Sequence, residues 1–309
     1  MNLNDENINV FFNKYITYVD DISNHFNYDS NIRHLLYVIL PAFIYKYKVY
    51  NESLILECFR KVKIYKSNHK DGIVTASFNR ILKKSNALYY TDKYIVINNY
   101  NENTIPTLID NIVHEFNHAV NSINNEISYD DKYIKVRTGL SSLIYDKATM
   151  NFIKKSDEIA LEEILNTSQT EEIINIINSF GKYNIENTEL ANMLYNLKIE
   201  IGDNGYVSDA YSFQKNICKR LINNKTFAPT INNLRFKGLI EEIPTIFNNV
   251  IGKDNSYKEL NKILTDMHLL ILKYSNRKIF KERLLNKIME KKKDVENLIN
   301  TYENNCIFK

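Results

Sequence analysis

Tryptophan is absent from this chain, and the residues that break regular structure are scarce: 7 glycines and 4 prolines among 309 positions. So few turn-formers exclude a loop-rich or collagen-like protein and predict long regular elements, mostly helices. Cysteine is nearly as rare. Cys58, Cys218 and Cys306 are odd in number and widely separated. They exclude a CxxC metal site and a disulfide framework, and they favour a reducing compartment. The most apolar run, LLYVILPAFIY from Leu35 to Tyr45, is too short for a bilayer and contains Pro41, so it reads as a buried helix. The N-terminal MNLNDENINVFF has neither the basic start nor the apolar stretch of a secretory signal. The expected setting is therefore the cytoplasm, with no membrane partner. A net charge of +3, with acids and bases interleaved, leaves no basic arm. Together with the lack of a helix-turn-helix pattern, it argues against a nucleic-acid partner.

What is present is a globular composition, 44% hydrophobic and 25% charged, with material for a sizeable core. Heavy use of Asn, Ile, Lys and Tyr suits a low-GC bacterial genome. Helical spacing of apolar residues runs through INVFFNKYITYV, residues 34–48 and SLILECFRKV. The pattern then changes. GIVTASF (72–78) and ALYYTDKYIVIN (87–98) are rich in β-branched and aromatic residues, with TDK (91–93) as a hairpin turn. KYIKVRTGLSSLIYD (132–146) offers one or two strands broken at Gly139. A long helix is expected from Ser156, its N-cap, to Gly181. Beyond it the chain reads as helices separated by loops near IGDNGYVSD, FAPT and IGKDNS, and the charged tail reads as a solvated amphipathic helix. The fold class is α+β, predominantly helical. Its expected parts are an N-terminal helical segment (1–70), a central core (71–181) and a helical C-terminal domain (182–309).

The chemistry concentrates in NIVHEFNHAVNS, residues 111–122. Asn103 or Thr104 can cap a helix here, Pro106 falls in its first turn, and Leu108, Ile109, Ile112, Val113, Phe116, Ala119, Val120 and Ile123 form its apolar face. On that helix His114 and His118 lie one turn apart and can reach a single ion. Glu115 projects beside them, placed to take a proton from a metal-bound water. Zinc suits this set because it accepts imidazole and carboxylate in a tetrahedral site with one position left for water. A third ligand must come from elsewhere. No histidine follows at the metzincin spacing, where the chain reads AVNSIN. The next helix carries ALEEILNTSQTEEI with adjacent Glu162 and Glu163, which point about 100° apart, so only one can face the ion.

HEFNH followed by an acid on a second helix resembles the gluzincin group of zinc metallopeptidases. LEEILNT resembles the L-N-E-G-L-T type of segment in many bacterial members and the acidic doublet of clostridial neurotoxin light chains. The likeness covers roughly residues 86–180. It implies a zincin-like core with a small antiparallel or mixed sheet beside the active-site helix, Zn2+ as cofactor and a peptide or protein substrate. It also implies His114, His118 and Glu163 as ligands, Glu115 as general base and Asn166 as a partner of the ligand, with Glu162 as the fallback ligand. The chain departs from thermolysin-like enzymes at Thr167, where they place an acid. Zincin folds set an edge strand beside the helix to receive a peptide, so YIVIN (94–98) is either that edge or a core strand. Tyr145, Tyr211 and His268 are candidates to stabilise an oxyanion. Arg137 is expected to bind a carboxylate or pair with a nearby acid. Two other functions compete with a peptidase: a non-catalytic or regulatory zinc-binding protein, and a phage or mobile-element regulator that cleaves one partner.

Overall fold

Helices dominate the computed structural model, which describes residues 4–47, 51–67, 87–90, 94–98, 100–122, 128–129, 131–149, 152–155, 158–202, 204–208, 211–224, 227–276 and 281–304. The chain forms two compact units, Met1–Val120 with Gln169–Ser208, and Asn121–Ser168 with Asp209–Lys309.

In the first unit, α1 (Asp5–Phe26) opens with a capping box. Asn4 Oδ1 accepts the Asn7 N–H at 3.0 Å, and Asn7 Oδ1 accepts the Asn4 N–H at 2.9 Å. The helix stops at Asn27, whose φ of 57° is a left-handed cap. The run that carries Pro41 is the buried helix expected, α2 (Ser30–Tyr47). It is followed by α3 (Glu52–Lys61), capped by Asn51. Three strands, β1 (Lys63–Ser67), β2 (Ala87–Tyr90) and β3 (Tyr94–Asn98), form a mixed sheet in the order β1-β3-β2. β3 runs parallel to β1 and antiparallel to β2. The sheet packs through β2 and β3 against α4 (Ile105–Val120), so the helix with HEFNH does have a small mixed sheet beside it.

YIVIN is the centre of that sheet rather than its edge, because it is paired on both sides. Ile95, Val96 and Ile97 are all buried, which explains their unbroken apolar run: a strand covered on both faces has no solvent face to alternate with. The GIVTASF strand and the TDK turn fall outside the described residues. Aromatic contacts fix the helices around the sheet. Phe59 of α3 stacks on Phe116 of α4 with centroids 4.0 Å apart, and Phe12 of α1 meets Phe180 edge-on at 5.2 Å. The helix α6 (Thr188–Ile201), capped by Asn187, packs on α2 and α4.

The second unit contains an antiparallel sheet of β4 (Ser128–Tyr129), β5 (Tyr133–Thr138), β6 (Ser141–Asp146) and β7 (Phe152–Lys155), in that order. The break at Gly139 is the turn between β5 and β6, at φ +59°. The long helix expected from Ser156 is α5, which starts at Ile159 and ends at Phe180; Ser156 lies outside the described residues. Its first turns belong to this unit and the rest of the same helix to the first. Six further α-helices follow among the described residues: α7 (Ser212–Ile217), α8 (Lys219–Ile222), α9 (Phe227–Lys237), α10 (Ile243–Ile251), α11 (Ser256–Asn276) and α12 (Lys281–Asn304). FAPT is not a loop but the first turn of α9, where Pro229 lacks only an N–H that would have had no helical partner. Asn224 Oδ1 accepts the Phe227 N–H there at 2.7 Å. The described parts of the two other expected loops, residues 204–208 and 252–255, do lie outside helices. The charged tail α12 is amphipathic and packs on α11, burying Ile288, Val295, Leu298 and Ile299 beside Leu260, Leu264 and Met267.

Among the described residues no helix is long and apolar enough to cross a membrane. Cys58 and Cys218 are buried thiols outside any disulfide, and Cys306 lies outside the described residues.

Candidate metal centre

Thr104 opens α4: its carbonyl accepts the Leu108 N–H at 2.9 Å, and its hydroxyl lies 3.5 Å from the Thr107 nitrogen. From that start the helical repeat sets His114 and His118 on one side, with ring centroids 5.0 Å apart and planes at 79°. His118 and Glu115 are buried and His114 is half-buried.

The rotation of α4 is held by Asn117, which is fully buried between two hydroxyls. Tyr47 of α2 donates to its Oδ1 at 2.9 Å, and its Nδ2 donates to Thr170 Oγ1 of α5 at 3.1 Å. Glu163 precedes Thr170 on α5 by seven residues, close to two full turns, so it lies on the same side of that helix. The result is a group of three side chains. His114, His118 and Glu163 each offer one ligand atom, and these atoms lie within 4.8 Å of one another.

The adjacent acid is engaged elsewhere. Glu162 is fully buried. Its Oε2 accepts the Leu140 N–H at 2.7 Å and Arg235 Nε at 3.0 Å, and its Oε1 accepts Arg235 Nη2 at 2.5 Å. Space around this carboxylate is tight: a Cβ at Gly139 would come within 2.2 Å of it. With Glu162 turned to Arg235, its neighbour must point about 100° away. The structure therefore brings Glu163, not the fallback Glu162, to the histidines.

Two imidazole nitrogens and a carboxylate oxygen are the donor chemistry of a three-ligand zinc site with an open fourth position. Donors about 2.0–2.1 Å from one tetrahedral ion are roughly 3.4 Å apart. The observed spacing therefore asks for side-chain adjustments of about an ångström, and the set fits a divalent ion.

The remaining expected residues are placed as follows. Asn166 is fully buried on α5, three positions after Glu163. Arg137 is buried, and its Nη1 donates to the carbonyls of Asn121 at 3.2 Å and Gly139 at 2.7 Å. Burial pushes its pKa down, while the charge of Glu162 opposes that shift. Tyr211 and His268 stack on each other at 5.4 Å, with Gln214 Nε2 3.5 Å from His268 Nδ1. Tyr145 is half-buried on β6, opposite Ile134. His268 is not a member of the ligand group.

Two residues that sequence reasoning missed support this region. Arg235 meets Glu162 across 73 residues, a distance at which no local pattern signals a pair. Asp110 stands one helical turn before His114, a spacing that could have flagged it. Burial raises the pKa of Asp110, while the charge of His114 and hydrogen bonds from Ser208 and Tyr206 lower it. Comparison with family models, characterised proteins and solved structures finds no match to this chain.

Proposed function

We propose that the protein is a zinc-dependent metallopeptidase of the gluzincin type, with a zincin-like catalytic core and a peptide or protein as substrate. The observation that carries this reading is the three-donor group His114, His118 and Glu163 with the buried Glu115 next to its first histidine. Three protein donors among the described residues leave room for a water. Bound zinc would supply Lewis-acid polarisation and a water acidic enough to ionise near neutral pH. The two imidazoles and the Glu163 carboxylate hold the centre. Glu115 takes up a proton at a carboxylate oxygen from the attacking water and returns it to the departing amine. Because β3 is paired on both sides, a peptide does not add to it, and the chain recognises substrate by other surfaces. The two buried thiols, neither in a disulfide, support action in a reducing compartment, the cytoplasm.

The experiment is a comparison of wild type with Glu115→Gln and Glu163→Ala on a defined library of capped peptides, with zinc content measured in parallel. Glu115→Gln should keep zinc and lose hydrolysis by roughly 10²- to 10⁴-fold, the usual contribution of a positioned base. Glu163→Ala should lose both. Full hydrolysis by zinc-loaded Glu115→Gln, or a zinc-loaded wild type that cleaves nothing, would overturn the proposal.

A further inference from the structure

Asp110 is held by a small piece of architecture that the ligand group alone does not require. Its Oδ2 accepts a hydrogen bond from Ser208 Oγ at 3.3 Å. Ser208 belongs to a strap, residues 204–208, which is fastened to α5 at three points. The Tyr206 N–H donates to Asn175 Oδ1 at 2.8 Å, Asn175 Nδ2 donates back to the Tyr206 carbonyl at 3.3 Å, and the Ser208 N–H donates to Glu171 Oε1 at 2.8 Å. The strap passes so close to α5 that a Cβ at Gly205, already at φ +78°, would come within 2.8 Å of Asn175 Oδ1. The strap so fastened brings Ser208 and Tyr206 to the Asp110 carboxylate.

Tyr206 also bonds to this carboxylate, yet one of its oxygens is left over among the described residues. Asp110 Oδ1 is shielded from water and has no hydrogen-bond partner among the described residues. A buried acceptor without a donor is costly, and persistent exceptions call for an explanation. One group that acts on it stands on its own helix, where the charge of His114 favours the ionised carboxylate. Four residues on, and on the same face, is His114. An imidazole that gives one nitrogen to a metal must place its other N–H somewhere, and a carboxylate is a favoured acceptor.

We propose that Asp110 is the positioning residue of the metal centre: its Oδ1 accepts the N–H of the His114 ring nitrogen that does not ligate. This fixes the tautomer and ring orientation of His114 and makes it a stronger donor. The strap and Ser208 hold the carboxylate in register for that bond. The inference rests on the metal-binding part of the proposed function and is independent of peptide hydrolysis.

The test uses the full chain and zinc alone. Zinc affinity is measured by competition with a chromophoric chelator for wild type, Asp110→Ala, Asp110→Asn and Ser208→Ala. Asp110→Ala should weaken binding by 10- to 100-fold. Asp110→Asn, which keeps the shape but loses the charge, should weaken it several-fold, as should Ser208→Ala. A second readout isolates positioning from stability. In the zinc-loaded protein the ring N–H of His114 should give a low-field, slowly exchanging 1H–15N signal. Asp110→Ala should shift it upfield and speed its exchange, leaving the His118 signal in place. A purely structural Asp110 would lower the unfolding midpoint and leave that signal unmoved. If Asp110→Ala fails to fold, Asp110→Asn carries the test. Variants that bind zinc within twofold of wild type, or an unchanged His114 signal, overturn the inference alone. A wild type that binds no zinc overturns it together with the metal-binding reading.

Discussion

Replacing Arg235 with methionine removes a guanidinium from a place where both members of an ion pair are inaccessible to solvent, each at 0% exposure. The methionine fills much of the same space, so the loss is mainly electrostatic. It leaves Glu162 with the Leu140 N–H at 2.7 Å but without its two bonds to Arg235. Breaking a buried pair by removing one partner costs about 3–5 kcal/mol, because the remaining charge has lost water and its hydrogen-bonded counter-ion, and here only the more distant Arg137 is left to offset it. At a guanidinium m-value of about 4 kcal/mol per molar, the unfolding midpoint should fall by roughly 1 M. The paired substitution Arg235→Met with Glu162→Met removes the stranded charge. It should recover most of that loss, since a buried pair exchanged for apolar side chains of similar volume is often neutral. Denaturant titrations followed by circular dichroism on wild type, the single variant and the double variant supply the comparison. A single variant within about 0.25 M of wild type, or a double variant no more stable than the single, would refute the reasoning.

Two further outcomes follow from the same region and from the core. Gly139→Ala should destabilise the protein by more than about 2 kcal/mol, measured by the same titration, because it combines a left-handed φ of +59° with a methyl 2.2 Å from the Glu162 carboxylate. In a Cys306→Ser background, Cys58 and Cys218 should resist a thiol-reactive dye in the native state and react when the chain is unfolded. Both are buried, and burial pushes the Cys218 thiol up to about 12, far above the range in which thiolate is available. Rapid labelling of the folded protein at neutral pH would contradict their placement.

Local signals carried much of this structure. The helix around HEFNH, its Thr104 start, the strands on either side of Gly139 and the amphipathic tail all depend on residues within a few positions of one another, where periodicity and capping operate. The choice between Glu162 and Glu163 was half-legible: helical geometry says that only one can face the histidines, but only the distant Arg235 shows which. Pairings over long separations were not legible. YIVIN became an internal strand because β1 joins it in parallel, and a parallel partner leaves no turn between the strands to read. The anchoring of Asp110 by Ser208 spans 98 residues. FAPT misled for a different reason: its proline suggests a loop, yet a first helical turn accepts proline at little cost.

The division of labour between the two neighbouring acids of α5 also sets a charge count. Had both carboxylates faced the histidines, a divalent ion there would be neutralised. With Glu162 committed to Arg235, the direct ligands of such an ion would carry one negative charge between them, and the remaining charge would be met from outside that shell by Glu115 and Asp110. A divalent ion with one anionic ligand rather than two would acidify bound water more strongly. By holding Glu162 away, the guanidinium of Arg235 would thus set the ligand charge of a bound ion without touching it.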